Sequence, residues 1–155
     1  MVIRYMLDTN VCIALIKSRP ERMRIRFSGL SIEEVGISSI VAAELWHGAA
    51  LSEKKRQNEA ALRDFLDYVG ILNWPFEASP IYGRIRAIAQ KKGAPIGAMD
   101  LLIASHALWL DAVLVTENTK AFGRVPHLRV ENWEARQQGV VPARKRSVFQ
   151  KGGKD

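Results

Sequence analysis

Apolar positions along the chain fall into two alternating patterns. Short unbroken runs, Val2 to Leu7, Val35 to Ser38, Asp111 to Thr116 and Leu128 to Asn132, have the length and continuous hydrophobicity of strands buried on both faces. Between them apolar residues recur at helical spacing. These stretches are Asn10 to Ile16 behind a cap at Asp8 or Thr9, Pro20 to Gly29, Ser39 to Ala50, Glu53 to Val69, Glu77 to Lys92 and Ala98 to Leu110. In the fourth, Leu62, Phe65, Leu66 and Val69 stand three and four apart; a further short helical turn runs through Phe122. Strands alternating with helices predict an α/β domain, three layers deep (α/β/α), around a central parallel sheet of four to five short strands. No internal repeat or heptad seam is visible.

Composition narrows this picture. A chain of 155 residues fits one domain. No run of about 18 apolar residues occurs and the first ten residues lack an apolar signal region, so a cytoplasmic protein without membrane contact is expected. Cys12 is the only cysteine, which excludes an intrachain disulfide and a thiolate metal cluster. The net charge is +7, but residues 136–155 hold six basic side chains (Arg136, Arg144, Lys145, Arg146, Lys151 and Lys154) against Asp155. That basic, Gly- and Pro-containing segment is expected to be a flexible tail, with the folded domain at 1–135. Within the domain, Lys17, Arg19, Arg22, Arg24 and Arg26 form a basic cluster, and Arg84, Arg86, Lys91 and Lys92 a second. Both are candidate phosphate contacts, with solvated helix faces as the ordinary alternative.

The acids carry the chemical question. Asp100 opens a helix that is apolar nearly all round, and an ionised carboxylate removed from water costs several kcal/mol after relaxation unless it is compensated. Asp8 follows the first strand, where parallel sheets place their ligand sites, and Glu44 stands in apolar company on the helix after the second strand. Thr116, Glu117 and Asn118 follow the third. Singly, each acid has an ordinary explanation: Asp8 a helix cap, Asp100 a partner of its helix dipole, Glu44 a helix-edge residue. Together they suggest a shared divalent cation, because two carboxylates about 5 Å apart repel by roughly 3 kcal/mol at an effective dielectric of 20. All-oxygen ligation points to Mg2+ or Mn2+. Glu44 and His47 have Glu-x-x-His spacing, but no second such pair exists for a di-iron bundle. Asp8 has no acid close behind it, which disfavours phosphoryl-aspartate chemistry, and no Gly-rich phosphate loop is present. His47 shares the Glu44 face, whereas His106 lies well round its helix from Asp100 and reads as packing or surface; His127 stands in a loop.

Four strings in order, "MLDTNVCI", "ISSIVAAELWHGA", "GAPIGAMDLLIASHA" and "LVTENTKAFGRVPHLRVENW", resemble the PIN-domain ribonucleases, specifically the VapC-type toxins of bacterial VapBC toxin–antitoxin systems, over about residues 1 to 135. The resemblance implies that Asp8, Glu44 and Asp100 hold the metal. Asn118, counted with the catalytic residues, stands where members often have a further Asp, so it can ligate through its carbonyl or orient a water but adds no charge for a second metal; Glu117, one residue before it, is counted with the substrate-binding residues. Thr9, Asn10 and Thr116 match polar positions lining family sites. The implied activity is Mg2+- or Mn2+-dependent endonucleolytic cleavage of RNA, tRNA in particular, leaving a 5′-phosphate and a 3′-hydroxyl. Arg19 and Arg22, in the Lys17 to Arg26 cluster, are the first candidates for holding the strand. A homodimer is implied, together with a VapB-type antitoxin that covers the groove and through which operator DNA is engaged. Two alternatives remain at this point: a catalytically weak partner that strengthens an antitoxin on DNA, and a PIN nuclease of RNA processing outside toxin–antitoxin pairs.

Overall fold

A computed structural model of the chain describes residues 2–18 and 20–134. Arg19 and the basic segment 136–155 lie outside the described residues. The chain begins with strand β1 (Tyr5–Leu7), helices α1 (Thr9–Ile16) and α2 (Glu21–Ser28), strand β2 (Val35–Ser38), and helices α3 (Ser39–Leu51) and α4 (Lys55–Leu66). Strand β3 (Gly70–Leu72), a 3-10 turn at Phe76–Ala78, and helices α5 (Ser79–Lys91) and α6 (Ala98–Leu110) follow. Strand β4 (Val113–Val115), helix α7 (Thr119–Phe122) and strand β5 (Val130–Glu131) complete the described fold.

All strand pairs are parallel, in the order β3-β2-β1-β4-β5, and helices flank the sheet. Both central strands, β1 and β2, are buried at every residue, as an unbroken apolar run requires. Met6, Leu7, Val35, Ile37, Leu114 and Val115 form the middle of the core, with Val11, Leu101, Ile103 and Phe122 packed from the helices. The chain leaves β1 toward β2 on one side and returns to β4 on the other. The carboxyl ends of β1 and β4 therefore bound the switch point where open parallel sheets bind ligands.

Several expected boundaries move, the strand expected over Leu128 to Asn132 shortening to Val130–Glu131 among them. The helical spacing of Glu53 to Val69 overruns its helix: α4 ends at Leu66, and Val69 leads into β3, which no pattern in the sequence announced. β3 is an edge strand with Ile71 half exposed, held by its ladder to β2 from Gly36↔Gly70 to Ser38↔Leu72. Asp111, expected to begin a strand, instead caps α6 with φ 54°, a left-handed conformation that Asp tolerates better than most residues. The Ala112 N–H reaches back to the Ala107 carbonyl (3.0 Å), and Arg129 donates to the Asp111 carboxylate (3.1 Å). The expected strand from Val2 shortens to Tyr5–Leu7.

Two local devices set the ground for the site. The Trp74 N–H donates to Ser39 Oγ (3.0 Å) and its indole Nε1 to the Leu102 carbonyl (2.8 Å), tying the start of α3 to the first turns of α6. At the end of α7, a Cβ on Gly123 would lie 2.6 Å from the Thr119 carbonyl oxygen. Gly123→Ala is therefore expected to cost about 1–3 kcal/mol, the usual range for overpacking, read by urea unfolding. An unchanged midpoint would show that α7 gives way without cost.

Candidate active site

Asp8 stands at the end of β1 with extended backbone (φ −70°, ψ 159°), and its side chain makes no capping bond to α1. Its partner comes from across the switch point. Thr116, fully buried at the end of β4, donates its hydroxyl to Asp8 Oδ2 (2.5 Å), and Asp8 itself is only 6% exposed. The same hydroxyl accepts from the Asn118 N–H (3.0 Å), so Thr116 is oriented from one side to donate on the other. The Asp8 N–H donates to the Val115 carbonyl (3.0 Å), fixing the strand end beneath the carboxylate.

Glu44 lies in the second turn of α3, partly buried, and its Oε1 accepts from Thr9 Oγ1 (3.1 Å) at the start of α1. Ser38 caps that helix through a bond from the Ile40 N–H (3.2 Å), so α3 starts at the carboxyl end of β2 and carries Glu44 toward β1. Asp100 stands in the first turn of α6, partly buried. Burial pushes the Asp100 carboxyl up from the ordinary range, and the charges of Asp8 and Glu44 push it further. Acids from the end of β1 and from α3 thus both act on the one that opens α6.

The remaining expected residues divide. Asn118 Oδ1 accepts from the Ala121 N–H (3.3 Å), so its carbonyl caps α7. Glu117 is exposed; its carboxyl is raised first by desolvation, then by a hydrogen bond and like charge from Glu134, and lastly by Asp8. Asn10 is exposed in the first turn of α1. Arg22 is exposed on α2. Arg26, by contrast, pairs with Glu131 Oε2 (2.8 Å) and stacks 5.0 Å from the Trp133 ring centre, clasping α2 to β5. Arg24 stands 3.8 Å from Glu21. Cys12 is fully buried and its thiol is pushed well up by desolvation and then by the Asp8 charge, so it stays protonated. His106, 1% exposed, is a core residue.

Sequence reasoning passed over the contribution of Thr116 to Asp8, the Glu117–Glu134 contact, and Met99. Only Met99 had a signal, its position next to Asp100; the other two depend on segments that meet only in the folded chain. Met99 joins Thr9, Ala43, Glu44 and His47 around a cavity of about 420 Å³.

Among the described residues, no three Asp, Glu, His or Cys side chains meet at one point as common ligands of a single ion. The donor set nonetheless fits a hard divalent cation. Mg2+ usually keeps several waters and takes only one or two carboxylates directly, and a cation here would offset both the burial and the neighbouring charges that raise Asp100. No described helix is long and apolar enough to cross a membrane.

The chain is similar to known proteins over most of its length. The PIN domain family model matches residues 5–128. The chain is 43% identical over 131 residues to Ribonuclease VapC2 of Rickettsia felis, covering 84% of this chain and 98% of that protein. It is 39% identical over 132 residues to the tRNA(fMet)-specific endonuclease VapC of Salmonella typhimurium, covering 85% and 99%. Among solved structures it is similar to VapBC2 from Rickettsia felis bound to a DNA fragment from their promoter, with TM-score 0.80, 42% identity, and coverage of 84% of this chain and 99% of that one.

Proposed function

The chain belongs to the PIN domain family, and from that premise we propose that it is the toxin of a type II toxin–antitoxin pair: a Mg2+- or Mn2+-dependent endoribonuclease acting on RNA, tRNA foremost, in the cytoplasm. The observation that carries this reading is the placement of Asp8 and Glu44 near enough to Asp100, at the carboxyl end of the sheet, for both their charges to act on it. Similarity to VapC ribonucleases over most of the chain supports it.

In this reading Asp8, Glu44 and Asp100 hold the cation. When bound, it supplies a water acidic enough to attack at neutral pH and neutralises charge developing on the phosphoryl oxygens. Thr116 fixes the Asp8 rotamer and Thr9 that of Glu44, so two acids are oriented before substrate arrives. Asn118 supports the strand end through its N–H and caps α7. Asn10 and Glu117 are the exposed polar groups of the α1 and β4 ends, available to phosphate oxygens or to bound water. Arg22, with Arg19 and Lys17, holds the RNA backbone, a role from which the ion pair with Glu131 withdraws Arg26.

The partner is a VapB-type antitoxin, and operator DNA is engaged through it. A groove of about 270 Å³ runs from Glu44 between α1, α3 and α4, with Ile13, Ile16, Leu45 and Leu62 along it, and an antitoxin segment laid there also reaches Glu44. The active form is a homodimer.

Incubating the purified protein with initiator tRNA and Mg2+ or Mn2+ tests the function. Discrete cuts bearing 5′-phosphates, abolished by EDTA, are expected. Uptake of Mn2+ in calorimetry without any cut, or neither, would overturn the ribonuclease and leave the partner that acts only through an antitoxin. Cutting confined to precursor RNAs, without growth arrest on expression, would favour an RNA-processing nuclease.

A further inference from the structure

The cavity over Glu44 has room and lining for more than a phosphate. Its polar end is Glu44 with the Thr9 hydroxyl bonded to it (3.1 Å); the rest is Ala43, the His47 ring and the Met99 thioether. At about 420 Å³ it falls within the range of small-molecule sites. The two outer walls come from different helices, His47 from α3 and Met99 from α6, held in place by the Trp74 bonds to Ser39 and Leu102. Neither wall residue is spent on packing: His47 is exposed and Met99 is 42% exposed.

Along an RNA strand, the group one sugar away from a phosphate is a flat, uncharged base. The cavity has no Lys or Arg in its lining, so it offers nothing to a second phosphate, whereas an aromatic ring and a polarizable sulfur lining the same space suit the faces of a base. We infer that this cavity is a nucleobase subsite, in which the base beside the scissile phosphate, splayed out of its stack, lies between the His47 ring and the Met99 side chain. The inference rests on the ribonuclease reading above for the identity of its ligand. It makes His47 and Met99 specificity-determining residues and requires the substrate to be single-stranded where it is cut, since a paired base cannot enter.

The test has one readout that is independent of cleavage. With methionine methyl groups labelled with carbon-13 and Met99 assigned through Met99→Leu, titration with adenosine, cytidine and uridine is expected to shift the Met99 methyl resonance saturably for at least one nucleoside. The resonances of buried Met6 and Met23 stay in place, and the apparent affinity weakens about tenfold in His47→Ala. On a single-stranded RNA, His47→Ala and Met99→Ala are expected to raise KM about tenfold with kcat little changed, and His47→Phe to restore KM. A wild-type protein that cuts RNA while no nucleoside moves Met99 overturns the subsite and leaves the ribonuclease standing. One that binds nucleosides at Met99 yet cuts nothing keeps the subsite and overturns the ribonuclease. Loss of kcat in both His47→Ala and His47→Phe, with KM unchanged, would replace stacking by proton transfer and so overturn the inference as stated.

Discussion

Asp100→Asn and Asp8→Asn are each expected to lower RNA cleavage by on the order of 10³-fold, about 4 kcal/mol of transition-state stabilisation, and to relieve growth arrest on expression without an antitoxin. Each removes one negative charge from the group that would hold the cation while keeping the shape of the side chain. Asn at position 8 can still accept from Thr116 through its carbonyl, so loss of activity would not reflect loss of fold. Asp100→Asn carries a second expectation of opposite sign. The native Asp100 carboxyl is raised by burial and by the charges of Asp8 and Glu44, so the metal-free native state binds that proton more tightly than the unfolded chain does. Stability therefore falls as pH rises from the ordinary value of 3.8 through the raised one, and stays reduced above it. The metal-free Asn variant escapes this, and its melting temperature at pH 7 is expected to exceed that of the wild type. The advantage disappears below pH 3.8. A variant that still cuts RNA would remove Asp100 from the site; one that melts lower than wild type at pH 7 would mean that burial and the neighbouring acids do not disfavour the ionised Asp100.

The protein is expected to weaken in mild acid through His106. Burial holds this imidazole neutral and pulls its pKa from 6.5 down to about 4, and its Nδ1 has no hydrogen-bond partner among the described residues. Above pH 6.5 the ring is neutral in both folded and unfolded chains and contributes no pH dependence. Between 6.5 and 4 the unfolded chain takes a proton that the native core refuses, so stability falls as pH falls. The loss is about 2 kcal/mol at pH 5 and approaches about 3 kcal/mol below pH 4. His106→Leu removes both the titration and the unsatisfied nitrogen. Urea unfolding of the two proteins at pH 7 and pH 5 isolates the effect, because every other titrating group is common to both. The Leu variant is expected to gain about 2 kcal/mol over wild type on moving from pH 7 to pH 5, and an equal difference at the two values would refute the assignment.

Much of this architecture was legible in the residue pattern because it depends on local periodicity. β1 and β2 read as continuous apolar runs because both of their faces are covered, and Ser39 to Leu51 and Ala98 to Leu110 as helices because their length and spacing admit little else. β3 escaped because Val69 continues the helical spacing of Leu62, Phe65 and Leu66. What ends that helix is pairing with β2, an interaction between residues some 30 positions apart.

The same division runs through the site. Residue type and order alone identified Asp8, Glu44 and Asp100 as acids in apolar settings and indicated an oxygen-only cation chemistry, since carboxylates without compensation do not belong there. Tertiary structure decided the partners. Thr116 holds Asp8 from 108 positions away, Thr9 holds Glu44, Asn118 turns its carbonyl to a helix cap, and Arg26 is drawn into a clasp with Glu131 and away from the basic cluster. The reason is physical: periodicity and burial tendency are properties of neighbouring residues and can be read along the chain, whereas hydrogen bonds and carboxylate repulsion act over a few ångströms and exist only after the sheet order has brought the ends of β1 and β4 side by side.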